Sequence, residues 1–151
     1  MMNSEVETWV FFYGTFMNWD VLISHGVTPT VVIPAKLNGF ELYIRPRVNL
    51  ARSERSCVYG AIVAITHEEL LRLYSNLEER YGVKYFPQPV LAETAEGGFR
   101  PVLCYIAPNM DAGQADQVYV TLLAQCVRKA GHPDWYAEFV ESFGSEKRGQ
   151  A

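Results

Sequence analysis

The sequence predicts an α+β fold, a small curled mixed or antiparallel β-sheet or barrel with helices packed on it. Three observations predict it. β-rich runs fill most of the chain up to Ala107, a single strongly capped helix interrupts them, and helical periodicity takes over the last quarter. No internal repeat, low-complexity tract or linker separates these pieces, so residues 1–151 are expected to form one domain.

The first run, residues 8–13, carries Val10, Phe11 and Phe12 and stops at Tyr13-Gly14-Thr15. A glycine there either closes a strand or bares backbone N–H groups that another molecule can approach, because it has no Cβ. Residues 35–44, 57–65, 87–93 and 100–107 are the further strands, bounded by Gly, Pro or charged turns. Between them, "RPRVNLARSERS" (45–56) reads as a basic, polar connection, solvated or favourable to an anionic ligand through Arg45, Arg47, Arg52 and Arg55.

The first helix opens at Thr66, where Glu69 completes a capping box. Leu70, Leu73, Tyr74, Leu77 and Tyr81 follow on one apolar face. At about 100° per residue, Glu78 falls at the edge of that stripe and Glu79 points away from it. Glu78 is therefore either a solvated edge charge or a half-buried carboxylate. Late in the chain, Tyr119, Leu122, Leu123, Cys126, Val127 and Ala130 form a second stripe that ends at Gly131 and Pro133. Trp135, Tyr136, Phe139, Val140 and Phe143 form a third, stopped by Gly144. Both stripes read as core, with Tyr119 at a helix start from which a side chain can reach a cavity mouth.

The composition is that of a globular domain, 49% apolar and 20% charged, with a net charge of −4. That charge offers no long-range attraction to nucleic acid or anionic membrane, and a small-molecule partner is expected instead. The N-terminal "MMNSEVETW" lacks the basic and apolar regions of a signal peptide, and no apolar run approaches the roughly 20 residues of a membrane helix, so a cytoplasmic protein is expected. Cys57, Cys104 and Cys126 are far apart and read as reduced, buried thiols. His25, His67 and His132 are dispersed without a carboxylate cluster, so no metal site is expected. A GxSxG elbow and a GxGxxG fingerprint are both missing, which argues against triad hydrolysis and dinucleotide binding.

Taken in order, "YGTFM", "GFELYI", "VYGAIVAITHEELLRLY", a Glu followed seven residues later by Tyr85, and "VYVTLLAQCVRKAGHPDWYAEFV" resemble the gamma-glutamylcyclotransferase family and its AIG2-like relatives. The resemblance spans roughly residues 8 to 143. It implies a cofactor-free reaction in which the substrate's α-amine attacks its own γ-amide carbonyl, giving 5-oxoproline and a released amine or peptide. Tyr13, Gly14, Thr15 and Phe16 would bind the γ-glutamyl head group, with hydroxyls supplied by Tyr85 and Tyr119, and Glu78 would be the general acid/base. One departure stands out. The family reads Leu-Asp-x-x-Glu before the catalytic residue, whereas "LYSNLEERYG" puts Tyr74 at the Asp position. Counting from Leu73 selects Leu77 as the base position, and counting back from Tyr85 selects Glu78. The alternative implied is a catalytically silent member that binds a small carboxylate ligand or serves as an interaction module.

Overall fold

The apolar run near the start of the sequence becomes the strand on which a barrel closes. In the computed structural model, which describes residues 6–110 and 113–149, β1 (Glu7–Phe12) lies antiparallel to β3 (Val48–Thr66) on one side. On the other side it runs parallel to β5 (Phe99–Ile106), with Val10 opposite Leu103. β2 (Val31–Ile44) pairs antiparallel with β3 and with β4 (Phe86–Thr94), and β4 pairs antiparallel with β5, so that the order β1-β3-β2-β4-β5 is closed. The fold is the α+β barrel that the sequence predicts, and the sheet is mixed because of the single parallel pair.

Residues 48–56 are strand rather than connection. They extend the β2–β3 hairpin beyond a bulge between Asn38 and Phe40, as far as the pair Ile44 and Val48. Arg52, Glu54 and Arg55 are exposed along this arm, which is why its composition reads as a loop. A short helix, α1 (Trp19–Ser24), was also not anticipated. Its cap is Asn18, whose side chain accepts from the N–H groups of Asp20 at 2.8 Å and Val21 at 3.2 Å.

α2 (His67–Tyr81), α3 (Gln117–Lys129) and α4 (Asp134–Gly149) complete the molecule; α4 continues through Gly144. Leu70 and Leu73 of α2, Leu123 and Val127 of α3, and Tyr136 and Val140 of α4 are buried in one core with Val10, Phe11, Leu37, Leu42 and Ile62 of the barrel. Burying side chains of this size contributes roughly 1.5–3 kcal/mol each before the entropy of ordering is counted. Gly60 of β3 has a structural role here, since a Cβ would stand 2.9 Å from the Phe11 ring and against the Phe12 carbonyl. Its carbonyl lies 2.9 Å from the His132 ring, which pins the α3–α4 connection to the barrel.

Asn49 is the buried polar residue of the core and is fully partnered. Its amide donates to the Tyr43 hydroxyl and to the Ala107 carbonyl, each at 2.7 Å, and its oxygen accepts from the Ala107 N–H at 3.0 Å. Cys104 and Cys126 are buried and Cys57 is half-buried; all three are free thiols. Among the described residues no helix is long and apolar enough to cross a membrane, and no cluster of metal-binding side chains occurs.

Candidate active site

At the end of β1 the chain leaves the barrel at Tyr13 and makes a single 3-10 turn over Thr15–Met17. Three other segments converge on this turn: Arg47 and Val48 from the β2–β3 hairpin, the last turns of α2 with Tyr85 beyond them, and the start of α3. Together they enclose a cleft of about 800 Å³, a volume suited to a small molecule.

Tyr13, Gly14, Thr15, Phe16, Tyr85 and Tyr119 all line this one cleft. Tyr13 is buried and its hydroxyl donates to the Tyr105 carbonyl, while that of Tyr85 donates to the Val48 carbonyl at 2.7 Å. Both hydroxyls are thus committed to holding the walls. Gly14 is glycine for a specific reason: a Cβ would stand 2.8 Å from the Tyr119 hydroxyl and 3.0 Å from Val48 Cγ1. The close approach that the sequence leaves open is made at this atom by the protein's own Tyr119. Tyr74 stacks on Tyr105 with ring centres 4.1 Å apart and forms the aromatic floor with Phe12, Phe16 and Tyr85.

Burial holds these phenols in the neutral form. Tyr13 and Tyr74 are raised well above the ordinary tyrosine value by desolvation, and Tyr85 is raised by desolvation and then by Tyr119. Tyr119 is pushed up to about 12 by burial, against the opposing pull of Arg47 and of hydrogen bonds to Thr15. Near neutral pH the four are hydrogen-bonding groups and not bases.

The wall made by α2 departs from the expectation about Glu78. Its N-terminus is capped as the sequence predicts, with Thr66 and Glu69 exchanging hydrogen bonds at 3.1 Å. The helix stays regular to Tyr81 and ends at Gly82 in the left-handed conformation, whose N–H bonds to the Glu78 carbonyl at 2.8 Å. It therefore does not loosen at Glu78. Leu73, Tyr74, Asn76, Leu77, Glu79, Arg80 and Tyr81 line the cleft; Glu78 is exposed and is not among the lining residues. Tyr81 is 46% exposed and covers the Arg47 guanidinium instead of entering the core. The cleft meets the side of α2 that carries Leu73, Asn76, Leu77 and Arg80, whereas Glu78 lies at the other edge of the apolar stripe, one turn after Tyr74.

Arg47 is one of several cleft residues that the sequence reading does not single out. Its only signal was membership of an arginine-rich segment, and of the four arginines there it alone lines the cleft. Asp116 lies on the rim at the start of α3, where its side chain caps the helix by accepting from the Val118 N–H at 3.1 Å.

The site thus joins a closed mixed barrel, a tight turn at the end of β1 and the end of a helix around one cleft. The family profile "Gamma-glutamyl cyclotransferase, AIG2-like" matches residues 10–123, and the chain belongs to that family. A comparison with curated proteins finds no match. Among solved structures, one described as a gamma-glutamyl cyclotransferase superposes with a TM-score of 0.74 at 17% identity, over 90% of this chain and 87% of that one. A human protein described as uncharacterized gives a TM-score of 0.74 at 17% identity over 89% of this chain and 86% of its own. A yeast gamma-glutamyl cyclotransferase described as specific to glutathione gives 0.61 at 14% identity, over 93% and 96%. At these identities the likeness is one of fold.

Proposed function

We propose that the cleft binds a small carboxylate-bearing ligand of the γ-glutamyl type without cyclising it, Glu78 lying outside the site. The observation that carries this reading is the register of α2, which lines the cleft with Leu77 and leaves Glu78 exposed outside it. Ring closure needs a base within about 3 Å of the attacking amine or one water away. Leu77 is apolar, the phenols around it are neutral, and of the two carboxylates in the lining Asp116 is engaged as a helix cap and Glu79 is exposed. Family membership and the size of the cleft support the ligand class. Calorimetric titration with a panel of γ-glutamyl compounds, alongside measurement of 5-oxoproline, tests the reading. Saturable binding without 5-oxoproline is expected, and sustained enzymatic release of 5-oxoproline overturns it.

A second reading keeps the cyclotransferase reaction and is favoured by one observation, that the carboxylate residues Glu79 and Asp116 line the cleft. The α-amine would attack the γ-carbonyl carbon, the C–N bond to the leaving amine would break, and a carboxylate would carry the proton between the two nitrogens. Glu79 is the better placed of the two because Asp116 is engaged as a helix cap. Release of 5-oxoproline that is lost in Glu79→Gln and kept in Glu78→Gln would establish this reading. The opposite pattern would restore Glu78 as the acid/base.

A further inference from the structure

We infer that Arg47 selects, among ligands of this cleft, those whose outward part carries a carboxylate; the inference rests on the head-group reading above. Arg47 follows the turn of the β2–β3 hairpin, and its guanidinium carbon lies 3.9 Å from the Tyr81 ring centre and 4.6 Å from that of Tyr119. One ring comes from the end of α2 and the other from the start of α3, so both elements that frame the mouth hold the same cation. A guanidinium so placed keeps N–H donors at its edge, in the fork geometry that matches a carboxylate.

The surroundings leave that fork available. Among the described residues no carboxylate lies within ion-pair distance of Arg47, although Glu79 and Asp116 line the same cleft. Its field is felt inside, where it opposes the rise in the hydroxyl pKa of both Tyr85 and Tyr119. Arg45, Arg52 and Arg55 are exposed and line no part of the cleft, and Arg80, which does line it, is exposed and touches no aromatic ring in the described structure. With two acids on the rim repelling an anion, Arg47 decides whether an anionic outer group is accepted.

The experiment compares γ-glutamylglycine with γ-glutamylethylamide, which share the head group and the amide and differ in the outer carboxylate. Calorimetry on the full chain is expected to show about 10-fold tighter binding of the glycine compound, with the preference shrinking as salt is raised. Arg47→Gln should abolish the preference by weakening the glycine compound far more than the ethylamide, and Arg47→Lys should retain only part of it because the ammonium lacks the fork. A melting curve on each variant shows that it is folded, and the preference of the parent protein stands even if one variant is not. Equal binding of both compounds, or a preference for the ethylamide, overturns the role of Arg47 and leaves the head-group reading intact. Failure of both compounds to bind overturns the two together.

Discussion

The two walls of the cleft are built to different standards. On one side, Phe12 and Tyr13 are buried, the Tyr13 hydroxyl is spent on the Tyr105 carbonyl, and Gly14 leaves no room beneath the Tyr119 hydroxyl. On the other, Leu77 is half-buried, Glu78 to Tyr81 are exposed, and none of these five side chains makes a hydrogen bond within the described structure. The turn is thus held by the same contacts that close the barrel, whereas the end of α2 can change its side chains without disturbing the fold. Such an arrangement keeps the means of holding a ligand while the group that would act on it is free to be replaced.

The strongest way to break this contrast is at Gly14. Gly14→Val places carbon inside the contact distance of Tyr119 and Val48, and it is expected to lower the melting temperature, at a cost of about 1–3 kcal/mol, and to abolish ligand binding. A melt and a titration on the same variant check both effects; an unchanged melt would mean that Tyr119 moves aside freely. Tyr13→Phe comes next, with an expected loss of about 1 kcal/mol from the hydrogen bond to Tyr105, read from denaturant unfolding.

Alkaline titration tests the burial of the phenols in both walls without mutation. Folding raises the pKa of Tyr13, Tyr74, Tyr85 and Tyr119, the last to about 12, above the value near 10 of an unfolded tyrosine. The stabilisation from keeping them neutral is complete below about pH 10 and is lost as the pH rises through the folded values. The melting temperature should therefore fall above pH 10 as tyrosinate absorbance grows, and a flat melting temperature up to pH 12 would contradict the burial described here.

Two substitutions on α2 sharpen the contrast at its weaker side. Leu77→Glu introduces a carboxylate into the cleft at the position reached by counting from Leu73. It is expected to change the melt little and to give measurable 5-oxoproline release from a γ-glutamyl compound that binds. Binding without any release would show that a carboxylate at this register is insufficient. The smallest effect belongs to Glu78→Gln, which should leave melt, binding and product formation unchanged because the residue is exposed and outside the lining. A large change in any of the three would return Glu78 to the site.

Much of the fold was legible because it is written in local chemistry. The Thr66 and Glu69 capping box, the β-rich runs and the Gly131 stop correspond to observed elements. The hairpin arm over residues 48–56 was not, since only Val48, Asn49 and Leu50 are buried and the exposed stretch after them carries the charges of a loop. α1 was overlooked although Asn18 followed by Asp20 is a cap signal, because the helix has only 6 residues and too little periodicity to register. The turn, Tyr85 and Tyr119 were named through family resemblance, and they line one cleft. Arg47 and the side of α2 that faces the cleft were not legible, because both depend on how separate elements meet: Arg47 comes from the β2–β3 turn and packs on Tyr81 of α2 and Tyr119 of α3.

One consequence of the parallel β1–β5 pairing concerns time. The strand that carries the turn precedes the other four in the chain, yet its Tyr13 anchor is a carbonyl 92 residues further along, and Val10 meets Leu103 only when the ring shuts. A fragment ending before β5 lacks both the carbonyl that anchors Tyr13 and the strand that pairs with β1. Contacts this remote in sequence form late, after their loop-closure cost has been met. A ligand seated between the turn, Arg47 and Tyr119 would bind the shut ring alone, acting as a latch that slows its reopening and lengthens the life of the folded chain.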